Sequence, residues 1–201
     1  MNGEINELTS EAIAQSRARR WPLFIGVAIV ALTIFALPAS ATSGGQSGLA
    51  AARTATARFH ELDAAKAAGY TVRVADNQGL TCIADPHGAG AMGVHYLDPN
   101  LAPELFDPQA AARIDAGTPE LLVYAPGANH TQRLVALEYL TLKAPWDAQH
   151  GGPPSLFGHR FNEVPAGNRF GLPAFYSLHA WVWARNPTDL FAQWNPRVTC
   201  P

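Results

Sequence analysis

The chain has 201 residues, with 14 Lys and Arg against 16 Asp and Glu, and a formal net charge of −2 at pH 7. No basic patch or charge run stands out, so we expect no nucleic-acid partner. The length fits one domain with an additional segment.

The first 41 residues are typical of an export signal rather than of a folded domain. Three arginines precede an uncharged apolar run over residues 21–37, which ends in the small-residue sequence ASA. We therefore predict a signal peptide over residues 1–41 and a single exported domain over residues 42–201, periplasmic or extracellular. The alternative is an uncleaved membrane anchor through the apolar run, since a spanning helix needs roughly 17–25 residues.

The predicted elements begin with one helix and continue as short strands. Residues 49–68 are rich in alanine, lack Gly and Pro, and place Phe59, Leu62 and Ala65 on one side. Gly69 is a natural stop for this helix. Strand-like stretches follow, bounded by turn residues, over residues 70–75, 80–84, 92–97, 120–125 and 133–142.

A Pro/Gly-rich stretch over residues 143–174 separates these strands from the last one. It has no helical or strand period, and long loops of this kind are often lids or binding loops. The element pattern predicts an α+β fold, in which the N-terminal helix packs on a curved antiparallel sheet or partial β-barrel with long Pro/Gly-rich loops.

The last predicted strand, over residues 173–187, is apolar on both faces. Counting by two puts Phe175, His179, Trp181 and Trp183 on one face. A strand of this kind is buried on both sides, and a buried imidazole needs hydrogen-bond partners or a metal.

Two further strands carry a polar side chain among apolar neighbours, namely His95 and Glu138. A carboxylate buried alone is too costly, so Glu138 must be paired, protonated or metal-bound. Two imidazoles and one carboxylate on facing strands match a facial metal site with open positions. We therefore predict that His95, Glu138 and His179 bind a divalent transition metal, namely zinc, copper or iron, with His87 or His159 as an additional ligand.

The predicted site would serve an oxidoreductase or a hydrolase. Metal binding should weaken below about pH 6.5, because imidazoles must be neutral to coordinate. The structural alternative is a polar network, or an ion pair between Glu138 and an arginine such as Arg133, Arg160 or Arg169. The functional alternative is a non-enzymatic exported domain that binds a small ligand or partner through an aromatic pocket of Phe175, Trp181 and Trp183.

The only two cysteines, Cys82 and Cys200, both lie in the predicted exported part. In an oxidising compartment two such cysteines most simply pair. We predict a disulfide that ties the C-terminus to the body of the domain.

Six segments form a recognisable set: GAMGVHY, PELLVY, RLVALEYL, PSLFGHRF, FYSLHAWVWARNP and WNPRVTC. The set resembles a family of exported bacterial proteins of unassigned function, over most of residues 55–200. Its most specific part is the pattern FYxLHxWxWxxNP followed by WNPxVxC. The resemblance implies export and the extent of the domain, and it implies no reaction. The family more often has Gln at the position of His159, which argues against this residue as a ligand.

Overall fold

The computed structural model describes residues 43–107 and 109–201. The predicted signal peptide, with its apolar run, lies outside these ranges. Within them, no helix is long and apolar enough to cross a membrane.

The N-terminal helical segment is broken rather than continuous. One helix was expected over residues 49–68, but Glu61 adopts an extended backbone and interrupts it. The carbonyl of Phe59 accepts a hydrogen bond from the Tyr124 hydroxyl at 2.6 Å, whereas an uninterrupted helix would use this carbonyl in its own ladder. The resulting pieces are α1 (Ser43–Thr56), a 3-10 turn (Ala57–His60) and α2 (Leu62–Ala67).

Nine strands follow in the part of the chain that the structure describes, and all of their pairings are antiparallel. They are β1 (Val72–Arg73), β2 (Cys82–Ala84), β3 (Ala91–Leu97), β4 (Leu121–Pro126), β5 (Gln132–Leu142), β6 (Ser155–Leu156), β7 (His159–Arg160), β8 (Asn162–Val164) and β9 (Phe175–Ala180). Short 3-10 turns at Pro103–Leu105 and Ala128–His130 and a short helix, α3 (Lys143–Asp147), lie between them.

The main sheet has seven strands in the order β1-β3-β4-β5-β9-β8, and β2 also pairs with β3. β6 and β7 form a separate hairpin. The sheet is open, and a register shift between Val123 and Tyr124 adds local twist, as β-bulges do. The prediction of an α+β fold with an N-terminal helical segment on a curved antiparallel sheet is confirmed.

The last strand is shorter than the stretch 173–187 predicted from sequence. The Val182 N–H donates to the Ala180 carbonyl at 2.8 Å, a tight turn that interrupts the regular pairing with β5, and the Trp183 N–H then donates to the Val135 carbonyl of β5 at 3.2 Å. Trp183 consequently lies on the helix side of the sheet, where its Nε1 donates to Thr56 Oγ1 in α1 at 3.2 Å. The prediction that Trp183 shares a face with His179 is therefore wrong.

The two faces of the sheet bury different groups. α1 and α2 cover one face, where Phe59 and Ala65 pack with strand residues such as Tyr124 and Tyr139. The other face carries two smaller clusters. We call them the tryptophan cluster (Ala91, Val123, Ala136, Trp181 and Val198) and the leucine cluster (Leu97, Leu121, Leu140, Leu142 and Phe175).

The predicted disulfide between Cys82 and Cys200 is confirmed, with Cα atoms 5.6 Å apart. It fixes the C-terminal segment next to β2, and Asn195 adds a bridge to Ala91. The C-terminal segment thereby covers the tryptophan cluster, in which Val198 is buried. A disulfide of this kind is compatible with an exported protein.

Candidate metal centre

Strand register brings His95, Glu138 and His179 to one face of the sheet. Glu138 on β5 lies directly opposite His179 on β9. His95 lies on β3, which is separated from β5 by β4, so its backbone is on the order of 10 Å from that of Glu138. The long side chains of both residues reach over β4 and meet above it. The three side chains lie between the tryptophan cluster and the leucine cluster.

The ligand atoms of the three residues converge. His95 Nε2 lies 3.3 Å from Glu138 Oε2 and 3.3 Å from His179 Nε2. His179 Nδ1 lies 3.7 Å from Glu138 Oε1. One ligand atom from each residue lies within 4.8 Å of the others, so this buried group could hold a metal ion. The fold alone brings these side chains together, so an ion could bind without movement of the backbone.

Burial sets the protonation of the group. All three side chains are buried: His95 and His179 are each 3% exposed, and Glu138 is 7% exposed. Burial raises the pKa of Glu138 to about 8 and lowers the pKa of His95 to about 4. Burial, together with the neighbouring His95, holds the pKa of His179 well below its usual value. Near neutral pH and without an ion, the group is therefore a neutral carboxylic acid beside two neutral imidazoles.

The ion-pair alternative for Glu138 is wrong. Among the described residues, the groups within ion-pair distance of Glu138 are the two histidines. Arg169, which the sequence offered as a partner, instead pairs with Asp76 at 2.7 Å. Either a neutral polar network or a bound cation therefore satisfies the buried carboxyl group.

The two additional ligands expected from sequence lie elsewhere. His87 is exposed in its Gly-rich loop. His159 is exposed on β7, and its ring packs on that of Phe191 with centroids 3.9 Å apart. Neither belongs to the group of converging ligand atoms, because loop and hairpin positions put both rings on the surface.

The three aromatic residues expected to form a pocket do not act together. Phe175 lines the cavity beside His95 and Glu138. Trp181 stacks near His179, with ring centroids 6.2 Å apart, but it is buried and its Nε1 donates to the Ala192 carbonyl at 2.6 Å. Trp183 lies on the other face of the sheet, so the predicted aromatic pocket is wrong in its membership.

A cavity of about 280 Å³ opens directly beside the site. His95 and Glu138 form its polar end, and Phe170 and Leu172 from the Pro/Gly-rich stretch 143–174 form part of its wall. Arg73 and Phe106 belong to the lining and were missed by sequence reasoning, because nothing in a two-residue edge strand or an isolated loop phenylalanine marks a pocket. The remaining lining residues are Val72, Val74, Ala75, Leu97, Leu105, Leu121, Leu140 and Phe175.

Comparisons of the chain with protein-family models, with curated proteins and with solved structures find no match.

Proposed function

We propose that this chain is an exported metal-binding protein with a mononuclear centre formed by His95, Glu138 and His179. The observation that carries the proposal is the convergence of three buried ligand atoms, with His95 Nε2 lying 3.3 Å from both Glu138 Oε2 and His179 Nε2. A histidine pair and a carboxylate are common ligands of divalent transition metals. Buried polar groups of this kind are costly unless they are satisfied, and a cation satisfies all three at one point.

The spacing is compatible with zinc. Tetrahedral ligands at about 2.05 Å from zinc lie about 3.3 Å from one another, which matches both short separations in the site. Neighbouring ligands of an octahedral ion at about 2.1 Å would lie about 3.0 Å apart, so an iron centre would require only a small adjustment of the side chains.

In the proposed centre, the bound ion rather than a nearby side chain would carry out the chemistry. Three protein ligands leave open positions, as in catalytic zinc sites. The lining of the cavity contains no titratable side chain apart from Arg73, His95 and Glu138. Proton transfer or redox chemistry would therefore be centred on the ion and the water or substrate bound to it, in a hydrolase or an oxidoreductase.

Export is supported by two independent features. The apolar run over residues 21–37 and the small-residue sequence that follows it are typical of a secretion signal. The Cys82–Cys200 disulfide forms readily outside the reducing cytoplasm.

Elemental analysis of protein exported through its own N-terminal segment tests the proposal. We expect close to one equivalent of zinc per chain, and loss of most of it in His179→Ala. The matched control is His87→Ala, since His87 is exposed and outside the group. Metal-free native protein that also fails to take up zinc, copper or iron in vitro would mean that the group is a polar network instead.

A further inference from the structure

The cavity beside the site has one polar end and a mostly apolar wall. His95 and Glu138 lie at the polar end, and the leucine cluster continues from them as the wall. His179 and Trp181 are on the other side of the group, where the tryptophan cluster is packed. Open positions of a bound ion would therefore point towards the cavity, because the other directions are filled by protein.

The charge of the loaded site would be positive. A divalent ion with one carboxylate and two neutral imidazoles carries a net charge of +1. The only other charged residue in the lining is Arg73, which is exposed on β1 and makes no ion pair with a described residue. A ligand in this cavity would thus meet positive charge at the ion, and no uncompensated negative charge.

The volume limits the size of the ligand. At about 280 Å³, the cavity is nearly twice the engineered cavity of about 150 Å³ that holds benzene. It falls just below the range of roughly 300–1,000 Å³ that is usual for sites of drug-sized ligands. A single ring or a short alkyl chain with one polar head fits this space.

We propose that the cavity binds small apolar monocarboxylates, with the carboxylate on the metal ion and the apolar body along the leucine cluster. This inference rests on the proposed function, because the ion supplies most of the positive charge. It names the class of ligand that the metal centre would accept.

The mouth of the cavity is suited to capture such molecules. Phe106 is 64% exposed and Val72 is 41% exposed, and both belong to the lining. Large exposed apolar side chains at a cavity mouth are a common feature of binding sites. Arg73 lies next to Val72 at the edge of the sheet, and its register partner Tyr96 places its side chain towards the helix-side face. Its charge would therefore attract the carboxylate only at long range, during entry.

The experiment measures zinc binding first and ligand binding second, on the whole exported domain. The probes are 3-phenylpropionate, its neutral amide 3-phenylpropionamide, and acetate, each titrated calorimetrically into zinc-loaded and metal-free protein. We expect 3-phenylpropionate to bind the zinc-loaded form at least tenfold more tightly than either the amide or acetate, and more tightly than it binds the metal-free form. With cobalt in place of zinc, the visible spectrum should change on addition of 3-phenylpropionate.

A pair of arginine variants tests the mouth of the cavity. Arg73→Gln should weaken binding of 3-phenylpropionate at low ionic strength only, without changing that of the amide, because the charge of Arg73 acts at long range and is screened by salt. Arg133→Gln is the matched control, since Arg133 is exposed on β5 and lies outside the lining, and it should have no effect. Neither substitution touches the proposed ligands, so zinc content should stay the same in both.

The outcomes separate the two proposals. If zinc does not bind, both fail. If zinc binds but the amide or acetate binds as tightly as 3-phenylpropionate, or the cobalt spectrum does not respond, only the monocarboxylate inference fails.

Discussion

Glu138 and His179 face each other across the β5–β9 ladder as direct register partners, and their side-chain atoms Oε1 and Nδ1 lie 3.7 Å apart. Cross-strand partners on a rigid ladder have little freedom to separate. Two of the three proposed ligands are therefore fixed by backbone pairing, and His95 completes the group from β3.

Metal binding should release a proton from Glu138. The pKa of this carboxyl is raised to about 8 by burial, so below that pH a bound cation must displace its proton. Apparent zinc affinity should rise about tenfold per pH unit between pH 6 and 7.5, and level off above about pH 8.5. Calorimetry in buffers of different ionisation enthalpy should give close to one proton released per zinc ion at pH 6.5.

This pH dependence of zinc affinity differs from the one predicted from sequence, in which protonation of the histidines weakens binding below about pH 6.5. Burial lowers the pKa of His95 to about 4, so the imidazoles stay neutral through that range. An affinity that is constant above pH 6.5 would contradict the assignment of the proton to Glu138.

The metal-free protein should lose stability as the pH rises. A carboxyl group whose pKa is raised by folding stabilises the folded state below its unfolded pKa, near 4.5, and loses that contribution as pH rises through about 8. Glu138→Gln removes this dependence. The difference between wild type and variant in free energy of unfolding should change by up to about 1.4 kcal/mol per pH unit in this window.

Urea unfolding of both proteins at pH 5.5, 7 and 8.5, with a chelator present, measures the effect. Glu163→Gln is a control, because Glu163 is exposed on β8 and its substitution should leave the pH dependence unchanged. Parallel curves for wild type and Glu138→Gln would show that Glu138 is ionised in the folded protein throughout.

Two adjacent glycines test how α1 docks on the β6–β7 hairpin. A Cβ atom at Gly45 would lie 2.8 Å from the carbonyl oxygen of Phe157, whereas one at Gly44 would meet nothing within 4 Å. Gly45→Ala should therefore lower the free energy of unfolding, by about 1–3 kcal/mol. Gly44→Ala should be neutral or stabilising by up to about 1 kcal/mol, since Ala favours the helix. Equal effects in thermal unfolding would show that α1 does not pack there.

Processing of the N-terminus should leave the described domain whole. The predicted cleavage site follows residue 41, and α1 begins at Ser43. N-terminal sequencing of the exported protein should find a start at or near residue 42. A start at residue 1 or 2 on membrane-retained protein would support the anchor instead.

The site could be predicted from sequence because each of its residues is a polar group within an apolar strand. Alternation places His95, Glu138 and His179 on defined faces of their strands. Because a buried polar group without a partner is costly, the three side chains are expected to contact one another. The cavity could not be predicted in the same way. Its lining combines an edge strand, a 3-10 turn and two loop residues, Phe170 and Leu172, whose positions depend on tertiary packing.

The length of the last strand was the main error in the fold. Trp181 and Trp183 continue the alternation of β9 in sequence, but the turn at Ala180 and Val182 redirects the chain. The alternation gives no sign of this interruption, after which the chain contacts β5 again through the Trp183 N–H and the Val135 carbonyl at 3.2 Å.

A zinc anomalous-scattering map of crystals of the exported domain tests the central claim most directly. We predict a single strong peak bound by His95, Glu138 and His179, with ligand atoms about 2.0–2.2 Å from it. Crystals grown with zinc that show these three side chains in place and no anomalous peak between them would contradict the account.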